Sequence, residues 1–418
     1  MMILRLHHDN AVKYRPNLNL KTINKLLCVT HIKVTIKKIL IPIRSYQFRI
    51  EKEVKMEALF KPIKINNLVV PNRIAMAPMT RSMSPKGIPT DQNLEYYKRR
   101  AAAEVGMIIT EGDEVTHPAS SGYPNVPNLR QDSHEGWKNL ISAVQEEGST
   151  IFCQLWHVGG IRKPGQPPNP EVPGYTPSGL VRKDKKVAYE MTDNDVEDLI
   201  QNYVKDIETI KMLGFDGVEL HGAHGYMIDQ FFWKDTNVRK DKYGKEEDLR
   251  TKFVCEIVSR ARKLVGNDFP IMLRFSQWKQ QDYDAILAPT PKDLETFLEP
   301  ISDSGVDVFH ASTRRYWEPE FEGSDLNLAG WTKKITGKPT ITVGSVGLDS
   351  DFIGLYVGND KANTSSIKTL VDMFEREEFD MVAVGRALLS DPEWVLKVKE
   401  GREEEIVGFT KEYVEKYF

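Results

Sequence analysis

From residue 70 onward the chain alternates short apolar runs with longer segments in which apolar residues recur every three or four positions. The runs read as strands at 73–79, 106–112, 151–157, 217–221, 270–275, 306–311, 340–344 and 380–385. Most are continuously apolar rather than alternating, as expected of a parallel sheet covered on both faces. Between them lie amphipathic helical patterns. Thr192 with Asp195 forms a capping-box signal for a helix that runs to Met212 and stops at Gly214. A second helix is predicted over 246–264, with Phe253, Ile257, Ala261 and Leu264 on one face, and a third over 291–302, with Pro291 in its first turn. Eight such units predict an α/β fold, a single (β/α)8 barrel spanning 57–418, with a doubly wound open sheet as the rival. The long loops at 158–191 and 313–328 would then lie on the C-terminal face, where loops of that length shape binding sites.

Composition adjusts this picture at one end. Hydrophobic content of 40% and charged content of 28% suit a globular protein. The net charge of −3 hides an asymmetry: residues 1–55 carry twelve Lys/Arg and three acids, a surplus of nine, so the rest carries −12. An acidic body disfavours nucleic acid as partner. Residues 1–56 read as a basic, disordered extension in front of the domain that opens at Met56-Glu-Ala-Leu-Phe60. The expected setting is the cytoplasm, with organelle targeting by residues 1–55 as the alternative. No run of about 18 apolar residues predicts a membrane span. Cys28, Cys153 and Cys255 show no C-x-x-C spacing, so neither a disulfide framework nor a cysteine-rich metal site is expected.

The chemistry concentrates at strand ends. Directly after the fourth run, Glu219-Leu-His-Gly-Ala-His-Gly-Tyr226 places His221, His224 and Tyr226 at a C-terminal mouth. Two imidazoles can donate to one carbonyl oxygen, and a phenol can deliver a proton nearby. The same two histidines could instead hold a metal, with His117, His157 or His310 as third ligand; a metal-dependent lyase or hydrolase is therefore the alternative function. The loops after strands seven and eight carry Gly344-Ser-Val346 and Gly385-Arg386, suited to a phosphate. Arg274 interrupts an apolar strand; either it pairs with a barrel carboxylate such as Glu219, or it faces a bound anion, for instance the N1 edge of a reduced flavin. Trp156 and Tyr123 read as pocket walls or as core aromatics.

Taken together, the motifs Ala77-Pro-Met-Thr80, Gln154-Leu-Trp-His157, His221-Gly-Ala-His-Gly-Tyr226, Asn237-Val-Arg-Lys-Asp-Lys-Tyr-Gly244 and Gly385-Arg386 resemble the old yellow enzyme family over about residues 57–405. The resemblance implies noncovalent FMN held by Pro78, Met79, Thr80, Gly112, Gln154, Arg274, Gly344, Ser345, Val346, Gly385 and Arg386. It implies NADPH or NADH as electron donor and a small enone-type substrate gripped by His221 and His224. Tyr226 would be the proton donor in a ping-pong ene-reduction, with Trp156 and Tyr123 near the substrate. No metal, nucleic-acid or membrane partner is expected, and the chain would be a monomer or homodimer. Departures exist. Thr80 stands where one subgroup has cysteine, and Tyr243-Gly-Lys-Glu followed by Leu249-Arg250 differs from the Tyr-Gly-Gly-Ser and Asn-Arg of many relatives. The dienoyl-thioester-reducing branch, with its iron–sulfur cysteines and second nucleotide domain, is not expected.

Overall fold

The computed structural model describes residues 56–244, 249–352 and 360–417; the extension expected at 1–56 lies outside them except for Met56. Eight parallel strands close into a barrel. They are β1 (Ile74–Met76), β2 (Met107–Glu114), β3 (Thr150–Trp156), β4 (Gly217–His224), β5 (Ile271–Lys279), β6 (Val308–Ser312), β7 (Thr340–Val343) and β8 (Met381–Val384). β8 pairs with β1 to complete the ring. The eight apolar runs thus all become barrel strands, and the open-sheet alternative falls.

Their continuous apolarity follows from the two cores they separate. Inside, Ala75, Met107, Ile109, Phe152, Met272, Val308, Ile341 and Met381 fill the barrel together with Ile63, Ile65 and Val70 of a hairpin (Ile63–Ile65 with Leu68–Val70). Outside, the alternate residues of each strand meet the helical ring. The helix signals hold where they can be read, except that Leu264, expected on an apolar face, is exposed. One helix, Asp193–Leu213, is capped by the Thr192 hydroxyl accepting the Asp195 N–H, and ends at left-handed Gly214 with φ 100°. Another, Pro291–Asp303, starts after Thr290, whose hydroxyl accepts the Asp293 N–H. The helix expected from residue 246 begins instead at Lys252 and runs to Val265; residues 245–248 are outside the described set.

Register stacks a polar layer near the top of the barrel. Gln154 of β3 lies beside Glu219 of β4, His221 of β4 beside Arg274 of β5, and Arg274 beside His310 of β6. All five are buried. Among the described residues no helix is long and apolar enough to cross a membrane.

Candidate active site

The end of β4 is bent to serve this layer. A register shift between Gly222 and His224 and two successive left-handed residues, His224 (φ 63°) and Gly225 (φ 78°), turn the chain back over the mouth. Non-glycine residues avoid this conformation unless their surroundings enforce it, and here they do. The Gly225 N–H donates to Asp229 at 2.7 Å, while its carbonyl accepts from Gln230 and Gln281, each at 2.8 Å. Asp229 in turn takes the Lys279 ammonium at 2.6 Å, both side chains wholly buried. The turn therefore aims Tyr226, and the rings of His221 and Tyr226 lie 4.8 Å apart, those of His221 and His224 5.1 Å.

Burial sets the imidazoles' charge. Desolvation, reinforced by the nearby Arg274 guanidinium, pushes both His221 and His224 well below the usual histidine range, so both are neutral at pH 7. The His221 Nδ1 accepts the Ala223 N–H at 3.4 Å, which leaves Nε2 as its protonated nitrogen. His224 Nε2 meets the Ser312 hydroxyl at 2.8 Å, and Arg274 reaches the same oxygen at 3.3 Å. Trp278 stacks on the His224 ring at 4.4 Å.

These side chains open into one cavity of about 590 Å³. Pro78, Met79 and Thr80 line it from the end of β1, Gln154 and Trp156 from β3, and Arg274 from β5. Gly344, Ser345, Val346, Gly385 and Arg386 line it from the ends of β7 and β8. Tyr123 lies on its wall with its ring against Trp156 at 5.5 Å. Gly112 does not line it: a Cβ there would meet the Trp156 ring at 2.7 Å, so this glycine makes room for the tryptophan. Several lining residues carried no sequence signal, among them Ser312, Trp278, Gln280 and Arg314. Only their place at or just past the C-terminal strand ends marked them. The signature loop from Asn237 to Gly244 contributes no lining residue; Asn237 instead donates to the Phe231 and Tyr243 carbonyls. The altered segment beyond it keeps Arg250 in a buried bond to the Phe232 carbonyl.

Arg274 decides between its two readings. Glu219 accepts from Gln154 at 2.7 Å and from His310 at 2.6 Å, and among the described residues no carboxylate forms an ion pair with Arg274. Its Nε, a buried donor, has no hydrogen-bond partner among the described residues. A buried guanidinium so placed calls for an anionic or carbonyl-rich ligand. Gly385 tells the same story: a Cβ there would find nothing nearer than Met79 Sδ at 3.7 Å, so its bareness serves whatever enters the cavity. The donor set fits a flavin mononucleotide, with cationic Arg274 and the Gly385-Arg386 cradle lining the same cavity. The metal alternative loses its third ligand. His310 is committed to Glu219, and His117 faces His157 at 3.0 Å. No group of three His, Cys, Asp or Glu among the described residues could hold an ion.

Residues 58–405 match the model of the NADH:flavin oxidoreductase / NADH oxidase family. The chain belongs to this family. It is 35% identical over 360 residues to an NADH oxidase of Thermoanaerobacter brockii, covering 83% of this chain but 52% of that one, so it spans about half the relative's length. Over 228 residues it is 32% identical to 12-oxophytodienoate reductase 7 of Oryza sativa subsp. japonica, covering 51% and 57% of the two chains. The old yellow enzyme homologue of Zymomonas mobilis superposes with a TM-score of 0.71 at 22% identity, covering 86% and 97%. The protein is thus an oxidoreductase of the old yellow enzyme family, with FMN as cofactor and NAD(P)H as electron donor.

Proposed function

We propose that this family member is an ene-reductase, passing reducing equivalents from NADH or NADPH to the C=C bond of an α,β-unsaturated carbonyl compound in a ping-pong cycle. The observation that carries this reading is the convergence of His221, His224 and Tyr226 on the same cavity as Arg274 and the Gly385-Arg386 cradle. FMN, when bound, supplies the hydride. Pro78, Met79, Thr80, Gln154 and Arg274 would hold its ring, and Gly344, Ser345, Val346, Gly385 and Arg386 its phosphate.

The chain's own groups do the rest. Neutral imidazoles are hydrogen-bond donors that stay put as charge develops. Two of them on one carbonyl oxygen stabilise the growing enolate by a few kcal/mol, typical of preorganised donors (~3 kcal/mol each). Tyr226, beside His221, gives its hydroxyl proton to Cα on the face opposite the hydride, so addition is trans. Trp156, Tyr123 and Trp278 wall the substrate in and exclude water. Two of the similar proteins are themselves named for a reductase and an old yellow enzyme.

The test is product analysis. Anaerobic incubation with NADPH and a cyclic enone in deuterated water is expected to yield one saturated ketone per NADPH, with deuterium at Cα trans to the transferred hydride. Oxidation of NADPH with the enone recovered intact would overturn the proposal.

A further inference from the structure

Behind the cavity-lining Gln154 sits a buried, hydrogen-bonded pair that the mechanism above leaves unused. Glu219 and His310 are wholly buried, 0% exposed each. Burial alone would drive Glu219 upward, but the His310 hydrogen bond and the Arg274 charge outweigh it and hold the carboxyl below its usual range. Burial pushes His310 down, so the ring is neutral and donates through Nδ1. An ionised carboxylate only accepts hydrogen bonds. The Gln154 atom 2.7 Å from Glu219 Oε1 must therefore be the amide nitrogen, and the amide oxygen is left as the acceptor on the cavity side. Each oxygen of Glu219 is engaged by a neutral donor, one by Gln154 and one by His310, and among the described residues Arg274 carries no ion pair.

Resting on the FMN reading, we propose that Glu219 and His310 are positioning residues for the flavin ring: together they fix Gln154 with its amide oxygen toward the cavity and keep the Arg274 guanidinium uncommitted beside it. Glutamine in place of Glu219 offers one acceptor where two donors need one each. Gln154 or His310 must then turn over, and a buried negative charge next to Arg274 is lost.

The experiment measures FMN affinity and the midpoint potential of the bound flavin in the purified holoenzyme, with no enone present. Glu219→Gln is expected to weaken FMN binding roughly tenfold, the loss of about one hydrogen bond at a buried site. The same substitution is expected to shift the potential to more positive values, since a nearby negative charge is removed. In a Gln154→Ala background the effect on affinity should shrink, because one of the two residues through which Glu219 acts is gone. His310→Leu should reproduce the loss, and His310→Asn, whose side-chain N–H replaces Nδ1–H, should restore it; this pair reads the same network if Glu219→Gln does not fold. Unchanged affinity and potential in Glu219→Gln and His310→Leu would overturn the inference, as would an equal loss with and without Gln154. Failure of the unsubstituted protein to bind FMN would instead sink the cofactor reading beneath it.

Discussion

Lys279→Met tests the support under the catalytic turn. In the native protein the Lys279 ammonium sits 2.6 Å from Asp229, and neither side chain is exposed. Asp229 also receives the Gly225 N–H, one residue before Tyr226. Removing the cation strands a buried carboxylate, and breaking such a pair costs about 3–5 kcal/mol, which for a barrel of this size lowers Tm by roughly 10 °C. Burial already raises the Asp229 carboxyl above its usual range, opposed by Lys279. Without the lysine it rises further, so the folded state of the variant takes up a proton more readily than the unfolded chain. The stability loss should therefore be largest at high pH and shrink as pH falls. The double variant Lys279→Met/Asp229→Asn has no stranded charge and keeps an oxygen for the Gly225 N–H. It should regain more than half of the lost stability. Thermal melts by circular dichroism on FMN-loaded protein, at several pH values, provide the assay. A double variant as unstable as the single one, or a single variant within about 1 kcal/mol of wild type, a shift ordinary for any substitution, would refute the argument.

Three further outcomes are expected. Tyr226→Phe removes the proton donor but not the His pair, so enone reduction should slow about 10²- to 10⁴-fold while flavin reduction by NADPH, followed by stopped flow, keeps its rate. Gly344→Ala should cost about 1–3 kcal/mol in chemical denaturation, since φ there is 147° and a Cβ would lie 2.7 Å from Thr313 Oγ1. Glu111 receives the Arg81 and Ser82 N–H groups below Thr80 and is pushed by burial from 4.5 up to about 7. Because the folded state then holds a proton that the unfolded chain releases, stability should fall as pH rises between 4.5 and 7, by up to about 3 kcal/mol. Glu111→Gln should flatten that slope in urea titrations; an unchanged slope would show that another group is responsible.

The barrel was legible because both faces of each strand are buried, so eight apolar runs stand out against amphipathic helices. Strand ends were not. β2, β4 and β5 extend to Glu114, His224 and Lys279, beyond the predicted 112, 221 and 275, because polar residues there find partners far along the chain. Asp113 meets the Cys153 thiol 40 residues on, and Lys279 meets Asp229 50 residues earlier. No local pattern encodes such pairings. His221, His224, Tyr226 and Arg274, singled out by type and position, do come together on one cavity. Gly112 packs against Trp156 rather than lining the cavity, and a glycine at a strand end looks alike in sequence whether it admits a ligand or a tryptophan. The Glu219 partner could not be chosen from sequence, since Arg274, Gln154 and His310 become its neighbours only through barrel register.

The most direct test of the central claim, one cavity in which bound FMN faces the paired imidazoles, is a visible spectrum taken without oxygen. The purified protein should be yellow with one FMN per chain, bleach on addition of NADPH, and regain its colour when a cyclic enone is added. Protein that binds FMN and bleaches but stays bleached with every enone, recovering only when air is admitted, would contradict the account.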